Sequence, residues 1–538
     1  MKSEPSVLRD FTVDRRVWLL SGVSIGIGAC ATALAVLLLR CIALSTNLFY
    51  YHRLSIAPVS PAGSPLGYWM VVVPVIGGLL VGLMARFGSD KIRGHGIPEA
   101  IEAILLHRAK VDPKVAVLKP ISAAIAIGSG GPFGAEGPII MSGGAVGSLI
   151  AQWIHVTDAE RTTLLVAGAA AGMSATFATP VAAILLAVEL LLFEWRPRSL
   201  VPVAIASTTA GILRVYWLGA GPLFKMPTIS GTPRITFAIG SLLLGAFVGL
   251  VSAGMSRMMY AFEDLFEHLH IHWMWWPALG GIGVGIGGLF FPRGLGVGYD
   301  NIAELLRGNA TVGLIVGIIL AKSLMWASSL GSGTSGGVLA PLLMIGGAVG
   351  ATVGHVSHAR LEDQAFWALI GMGSMLAGAL GVPLTAILFS LEVTHCLPAL
   401  LPLTMACIAS YLITSLLMPR SILTEKLSRR GYHLSREYGV DPLELVIVRE
   451  LMSPMTAPGP KQGLPAHYVY ADGTARGAAE VMATEGLATL PVVDRTSQQL
   501  CGTISLNELL RGRTRSVERE NERLRLFDYV PPEQGGHN

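Results

Sequence analysis

The stretch GPFGAEGPIIMSGGAVG, residues 131–147, sets one carboxylate, Glu136, among glycines, prolines and aliphatic side chains. Between Lys119 and Asp158 no other side chain carries a formal charge. The chain repeats this pattern. GSGGPFGAEGPIIMSGGAVG (128–147) and GSGTSGGVLAPLLMIGGAVG (331–350) are identical at eleven of twenty positions, at an offset of 203. The same offset carries Pro180 to Pro383 and Glu189 to Glu392, so that TPVAAILLAVE matches VPLTAILFSLE. Two stretches with one offset indicate a duplication. Duplicated transporter folds place their site at the repeat interface, where discontinuous helices meet.

Composition fits that reading. Of 538 residues, 52% are hydrophobic and 14% charged, against about 25% charged in an ordinary soluble domain. Apolar runs recur at Val17–Leu39, Tyr68–Met84, Ile235–Gly254 and Val312–Leu330. A membrane span takes about 20 mostly apolar residues. Several runs are shorter or interrupted by Gly and Pro, which suits broken or tilted helices buried in protein or lining a cavity. The expected class is an all-α polytopic membrane protein. Residues 1–16 form a polar segment, and its Arg9, Arg15 and Arg16 argue for a cytosolic N-terminus. The apolar run behind them is too long for a cleaved signal peptide. A net charge of +4 says little about partners once most charges sit in loops, and no nucleic acid partner is expected.

The transmembrane domain is expected over residues 17–432, a linker and small α/β domain over 433–515, and a charged tail over 516–538. In the small domain ARGAAEVMATEG reads as an amphipathic helix, and TLPVVD and CGTISL as short strands. Cys30, Cys41, Cys396, Cys407 and Cys501 show no ligand spacing and read as small core residues. His268, His270 and His272 alternate, which suits a metal only on a strand, and no metal is expected there. Trp273, Trp275 and Trp276 beside them read as a membrane-interface belt.

Three segments share one grammar, a glycine-rich turn, then proline, then an apolar helix. They are GHGIPEA (94–100), GAEGPII (134–140) and GGVLAPLL (336–343). Glycine lets backbone approach a ligand closely, and the first N–H groups of a helix have no intrahelical partner. Such an end holds a small anion without a full positive charge, and loosely enough for it to leave. The anion-binding residues expected are Gly94, His95, Gly96, Ile97, Pro98, Gly134, Ala135, Gly137, Pro138, Gly337, Val338, Leu339, Ala340 and Pro341. Glu136 then acts as a gate: ionised, it occupies an anion's place, and protonated or displaced, it yields that place.

These motifs resemble GSGIP, G(K/R)EGP and GxFxP of the CLC family of chloride channels and proton-coupled antiporters, in the same order. The resemblance implies two inverted halves, a homodimer with one pore per subunit, and Glu136 as the external gating glutamate. It also marks departures. His95 stands where a serine is usual, Ala135 where a basic residue is, and Leu339 where phenylalanine is. The pore tyrosine aligns with Leu423. Many antiporters carry an internal proton-relaying glutamate at the position of Leu190, which cannot carry a proton. Glu189 and Glu392 are expected to serve helix ends, and Glu194 an interfacial ion pair.

The C-terminal stretch resembles a single CBS motif that would pair with a second subunit's copy. Ser505 and Glu508 match loosely the pair that contacts adenosine ribose, which would make an adenine nucleotide its ligand. No cofactor is required for transport. The function expected is a gated chloride channel in a bacterial inner membrane, with the CBS-like domain cytoplasmic and lipid and chloride as partners. A chloride/proton antiporter is the alternative, and fluoride or nitrate the alternative anion. An intramembrane hydrolase using Glu136 lacks HExxH, GxSxG and a second acid nearby.

Overall fold

The computed structural model describes residues 15–227, 235–357, 360–429, 431, 443, 446–455 and 465–513. The expected N-terminal segment up to residue 14, most of the linker and the tail 516–538 lie outside the described residues. The chain forms two units, Met1–Arg436 and Glu437–Asn538.

Seven helices among the described residues of the first unit are long and apolar enough to cross a bilayer. The longest, Arg16–Tyr51, has 36 residues. At about 1.5 Å rise per residue it exceeds a hydrocarbon core of about 30 Å, and is long enough to span it tilted. Other helices are too short to cross, as broken-helix patterning predicts, including Ile97–Leu106 and Pro383–Thr394.

The duplication is visible element by element. Glu136–Trp153 has its mate in Leu339–Val356, and Asp158–Phe177 in Leu361–Leu380, with both ends shifted by 203. Ala178 and its mate Gly381 both end their helices in the left-handed conformation. Small residues bring helices together in each half. A Cβ at Gly143 would lie 2.3 Å from the Gly168 carbonyl oxygen, and one at Gly346 would lie 2.4 Å from that of Gly371. Backbones touch there, as in helix pairs that pack in lipid.

Glu189 and Glu392 join the halves. Glu189 accepts the Leu384 and Thr385 amides at 3.2 and 2.8 Å. Glu392 accepts the Val181 and Ala182 amides at 3.0 and 2.8 Å. Each acid thus caps the helix that begins at the other half's proline, and satisfies amides with no intrahelical acceptor. At the centre Gly134 and Gly337, themselves repeat mates, pair in an antiparallel bridge. Equivalent positions meet while running in opposite directions, which is the local form of an inverted repeat.

The second unit carries a four-stranded sheet in its described residues. β1 (Ser453–Pro454) pairs antiparallel with β4 (Leu500–Ser505), β4 antiparallel with β3 (Thr489–Val493), and β3 parallel with β2 (Val469–Tyr470). The helix Ala475–Glu485 packs Ala478 and Met482 with Leu490, Val492 and Ile504. The expected helix and strands form where the sequence placed them.

Two local expectations change. Cys30 is exposed rather than core, while Cys396 and Cys407 are buried, and all five cysteines are free. Of the three tryptophans only Trp275 is exposed, whereas Trp273 and Trp276 turn their rings to the Arg93 guanidinium, at 4.6 and 5.7 Å. A cation–π contact of that kind competes with the bilayer interface for an indole ring. His272 accepts the Met274 amide and starts a helical turn.

Candidate functional site

All three glycine-rich turns meet. The Gly134 and Gly337 amides donate to each other's carbonyls at 3.2 and 2.9 Å. Gly94 donates to Gly333, and its own carbonyl accepts from Gly336, both at 3.4 Å. A Cβ at Gly137 would lie 1.8 Å from the His95 carbonyl oxygen and 3.3 Å from the Gly337 Cα. One at Gly96, where φ is +90°, would meet the Gly137 carbonyl oxygen at 2.5 Å. No other residue fits at Gly96 or Gly137, because backbone itself fills the space a side chain would need.

From this junction start three helices, Ile97–Leu106, Glu136–Trp153 and Leu339–Val356. Gly96, Ala135 and Val338 are their N-caps. Ile97, Pro98, Pro138, Leu339, Ala340 and Pro341 lie buried in the first turns. Three helix N-termini at one place concentrate partial positive charge and unpaired amides, which is an anion's environment.

Glu136 is fully buried at that place. The Tyr299 hydroxyl donates to its Oε1 at 3.4 Å, whereas its Oε2 has no hydrogen-bond partner among the described residues. The carboxylate fits because two neighbours lack side chains. A Cβ at Gly134 would lie 1.6 Å from its Oε2, and one at Gly337 2.7 Å.

His95 is 3% exposed, and its Nδ1 has no hydrogen-bond partner among the described residues. It lines a cavity of about 540 Å³ together with Arg93, Glu99, Lys426, Trp273 and Trp276, whereas Glu136 does not line it. Glu99 accepts the Gly96 amide at 2.7 Å and the Lys426 ammonium at 2.6 Å. It therefore caps the first motif's helix and neutralises the cavity's nearest lysine at once. The imidazole lines this cavity with its Nδ1 unpaired among the described residues.

Two buried lysines support the turns. Lys119 donates to the carbonyls of Ile92 and Gly94, each at 2.8 Å. Its repeat mate Lys322 donates to those of Gly294 and Gly296, at 2.8 and 2.7 Å. Sequence reading missed both lysines, Tyr299 and the Glu99–Lys426 pair. One signal existed: GVG (296–298) copies GHG (94–96) at an offset of 202 rather than 203. This makes Tyr299 the counterpart of Ile97 and reveals a fourth glycine turn.

Leu423 is fully buried. Its neighbour Ile422 accepts the Tyr260 hydroxyl at 2.5 Å and donates its amide to Ala379 at 3.3 Å. Leu190 is fully buried in a π-helical turn, Ala187–Leu192. Glu194 pairs with Arg196 and Arg198 and accepts the Ser199 hydroxyl at 2.6 Å. In the second unit, Glu508 accepts the Ser505 amide and hydroxyl at 2.6 and 2.9 Å, and also the Ser453 hydroxyl. Burial pushes the Glu508 carboxyl up, but the Ser453 and Ser505 donors outweigh it and hold it below the ordinary range. Ser505 and Glu508 thus form a capping box at the start of the closing helix.

Comparison with known proteins follows the same lines. A profile of the family described as "Voltage gated chloride channel" matches residues 76–415. A protein of Ralstonia nicotianae named "Putative chloride channel protein ClcB-like" is 29% identical over 379 residues, 68% of this chain and 87% of that protein. The "H(+)/Cl(-) exchange transporter ClcA" of Citrobacter koseri is 30% identical over 375 residues, 65% of this chain and 78% of that protein. Among solved structures, "a slow cyanobacterial Cl-/H+ antiporter" superposes with a TM-score of 0.68 at 21% identity, covering 78% of this chain and 99% of that one. "A CLC-type fluoride/proton antiporter" does so with a TM-score of 0.65 at 20% identity, covering 77% and 98%.

Proposed function

The chain belongs to the voltage gated chloride channel family and is a chloride transporter of the CLC type, and we propose that Glu136 is its gate. One observation carries the proposal. The carboxylate lies fully buried where three helix N-termini meet, within reach of the Tyr299 hydroxyl. An ionised Glu136 takes the place of an anion there, and a protonated one gives it up. The anion path continues past His95 into the cavity it lines.

Two transport modes remain, each favoured by an observation. Leu190, buried and apolar, favours passive conductance gated at Glu136. The names of the relatives, exchange transporters among them, favour chloride/proton exchange at least as strongly. In both modes chloride is the substrate, with fluoride or nitrate as competitors at His95. We assign the molecule to a bacterial inner membrane, as a homodimer with one path per subunit and the second unit cytoplasmic. For the CBS-like second unit a clamp between subunits fits better than an adenine nucleotide site, because Ser505 and Glu508 already bind each other.

The test is chloride efflux from liposomes with external pH recorded together, the voltage set by potassium and valinomycin. Protons driven uphill by chloride flux would establish exchange, and chloride flux without proton movement would establish passive conductance. Glu136→Gln, which mimics the protonated acid, is expected to raise anion flux and to remove its pH dependence. Unchanged flux and unchanged pH response in this variant would place the gate elsewhere.

A further inference from the structure

We propose that Tyr299 is the latch of the Glu136 gate, a positioning residue whose hydroxyl holds the ionised carboxylate in the blocking pose. The inference rests on the reading of Glu136 as gate. Tyr299 begins the helix Tyr299–Leu306, behind a left-handed Gly298, so its ring leaves the fourth glycine turn in a fixed direction. Its hydroxyl reaches Glu136 Oε1 at 3.4 Å across 163 residues of sequence.

An aromatic clamp fixes that ring. Phe177 meets it edge-on at 6.3 Å between centroids, and Phe224 lies tilted to it at 6.2 Å. Phe389 backs Phe177 at 5.4 Å. Phe224 is itself 3% exposed, and its amide is tied to the Val393 carbonyl at 2.9 Å. Such edge-to-face packing is directional and leaves the hydroxyl little freedom except toward the acid.

The latch discriminates between protonation states. A hydroxyl donating to a carboxylate makes a charge-assisted bond, about twice as strong as one between neutral groups. It therefore favours the ionised, blocking form. Of the charged groups on the elements around Glu136, Asp300 is exposed and Glu304 is paired with Arg293. Lys119 is held by the carbonyls of Ile92 and Gly94, and Glu99 by Lys426. Lys322 is held by Gly294 and Gly296, and its charge reaches Glu136 through space. Tyr299 is the group that touches the carboxylate through a side chain.

The experiment compares chloride efflux against pH for wild type, Tyr299→Phe, Glu136→Gln and the double variant. Phenylalanine keeps the ring in its clamp and removes one oxygen. The expected result is a flux midpoint moved to higher pH by roughly half a unit to one unit. The same change should produce no effect in the Glu136→Gln background. An unmoved midpoint, or an equal effect in both backgrounds, would overturn the latch. Site-specific 3-fluorotyrosine, a stronger donor of nearly the same shape, should move the midpoint to lower pH, and no movement there would count equally against it. If Glu136→Gln itself changed nothing, the gate assignment would fail; if it responded while both Tyr299 changes were silent, only the latch would.

Discussion

His95 shows how one residue shapes the site. Its backbone is fixed, since its carbonyl lies against Gly137, but its Nδ1 is unpaired among the described residues. An unpaired buried nitrogen is costly unless something visits it, and the proposed anion path passes it. His95→Ser should change the order of permeation among chloride, nitrate and fluoride in liposome flux. An unchanged order would mean that the motif contacts the ion through backbone only. At this scale the sequence was legible where one chain segment carries the whole message. Glu136, wrapped in glycine, declared itself. Tyr299 did not, because its partner is 163 residues away and its own turn lies one residue out of the main repeat register.

Helix ends are where the elements meet. Glu189 and Glu392 were legible as helix-end acids from their shared offset, but each was matched only to its mate. The structure shows that each caps the other half's helix. Nothing local in a sequence says which of two equivalent helices an acid will reach. Glu189→Ala should leave the Leu384 and Thr385 amides without their acceptor and cost about 1–2 kcal/mol, read as a lower unfolding temperature in detergent. Glu392→Ala should cost a similar amount, and a large difference between them would show that the caps are not equivalent. The tryptophans near residue 275 mark the opposite limit. A short aromatic run carries no period that separates a ring facing lipid from a ring facing Arg93.

Over the whole molecule, broken helices, duplication and a separate small domain could all be read from patterning and offset. The antiparallel sense of the central contact could not, because an offset records equivalence and not direction. The proton path belongs to this scale too. Leu190, fully buried, puts no acid at its own position, so it cannot itself pass a proton to Glu136. Leu190→Glu should raise the number of protons moved per chloride, measured with both signals recorded at once. An unchanged ratio would remove position 190 from any proton path here. The bridge between Gly134 and Gly337 has one more consequence. A contact between equivalent positions asks for no difference between the two partners, so a half-length ancestor could have made it with an upside-down copy of itself. Fusion of two such genes would then have freed each half to drift alone. Glu136 opposite Leu339 would be the mark of that drift, an acid kept on one side of the axis and lost from, or never gained on, the other.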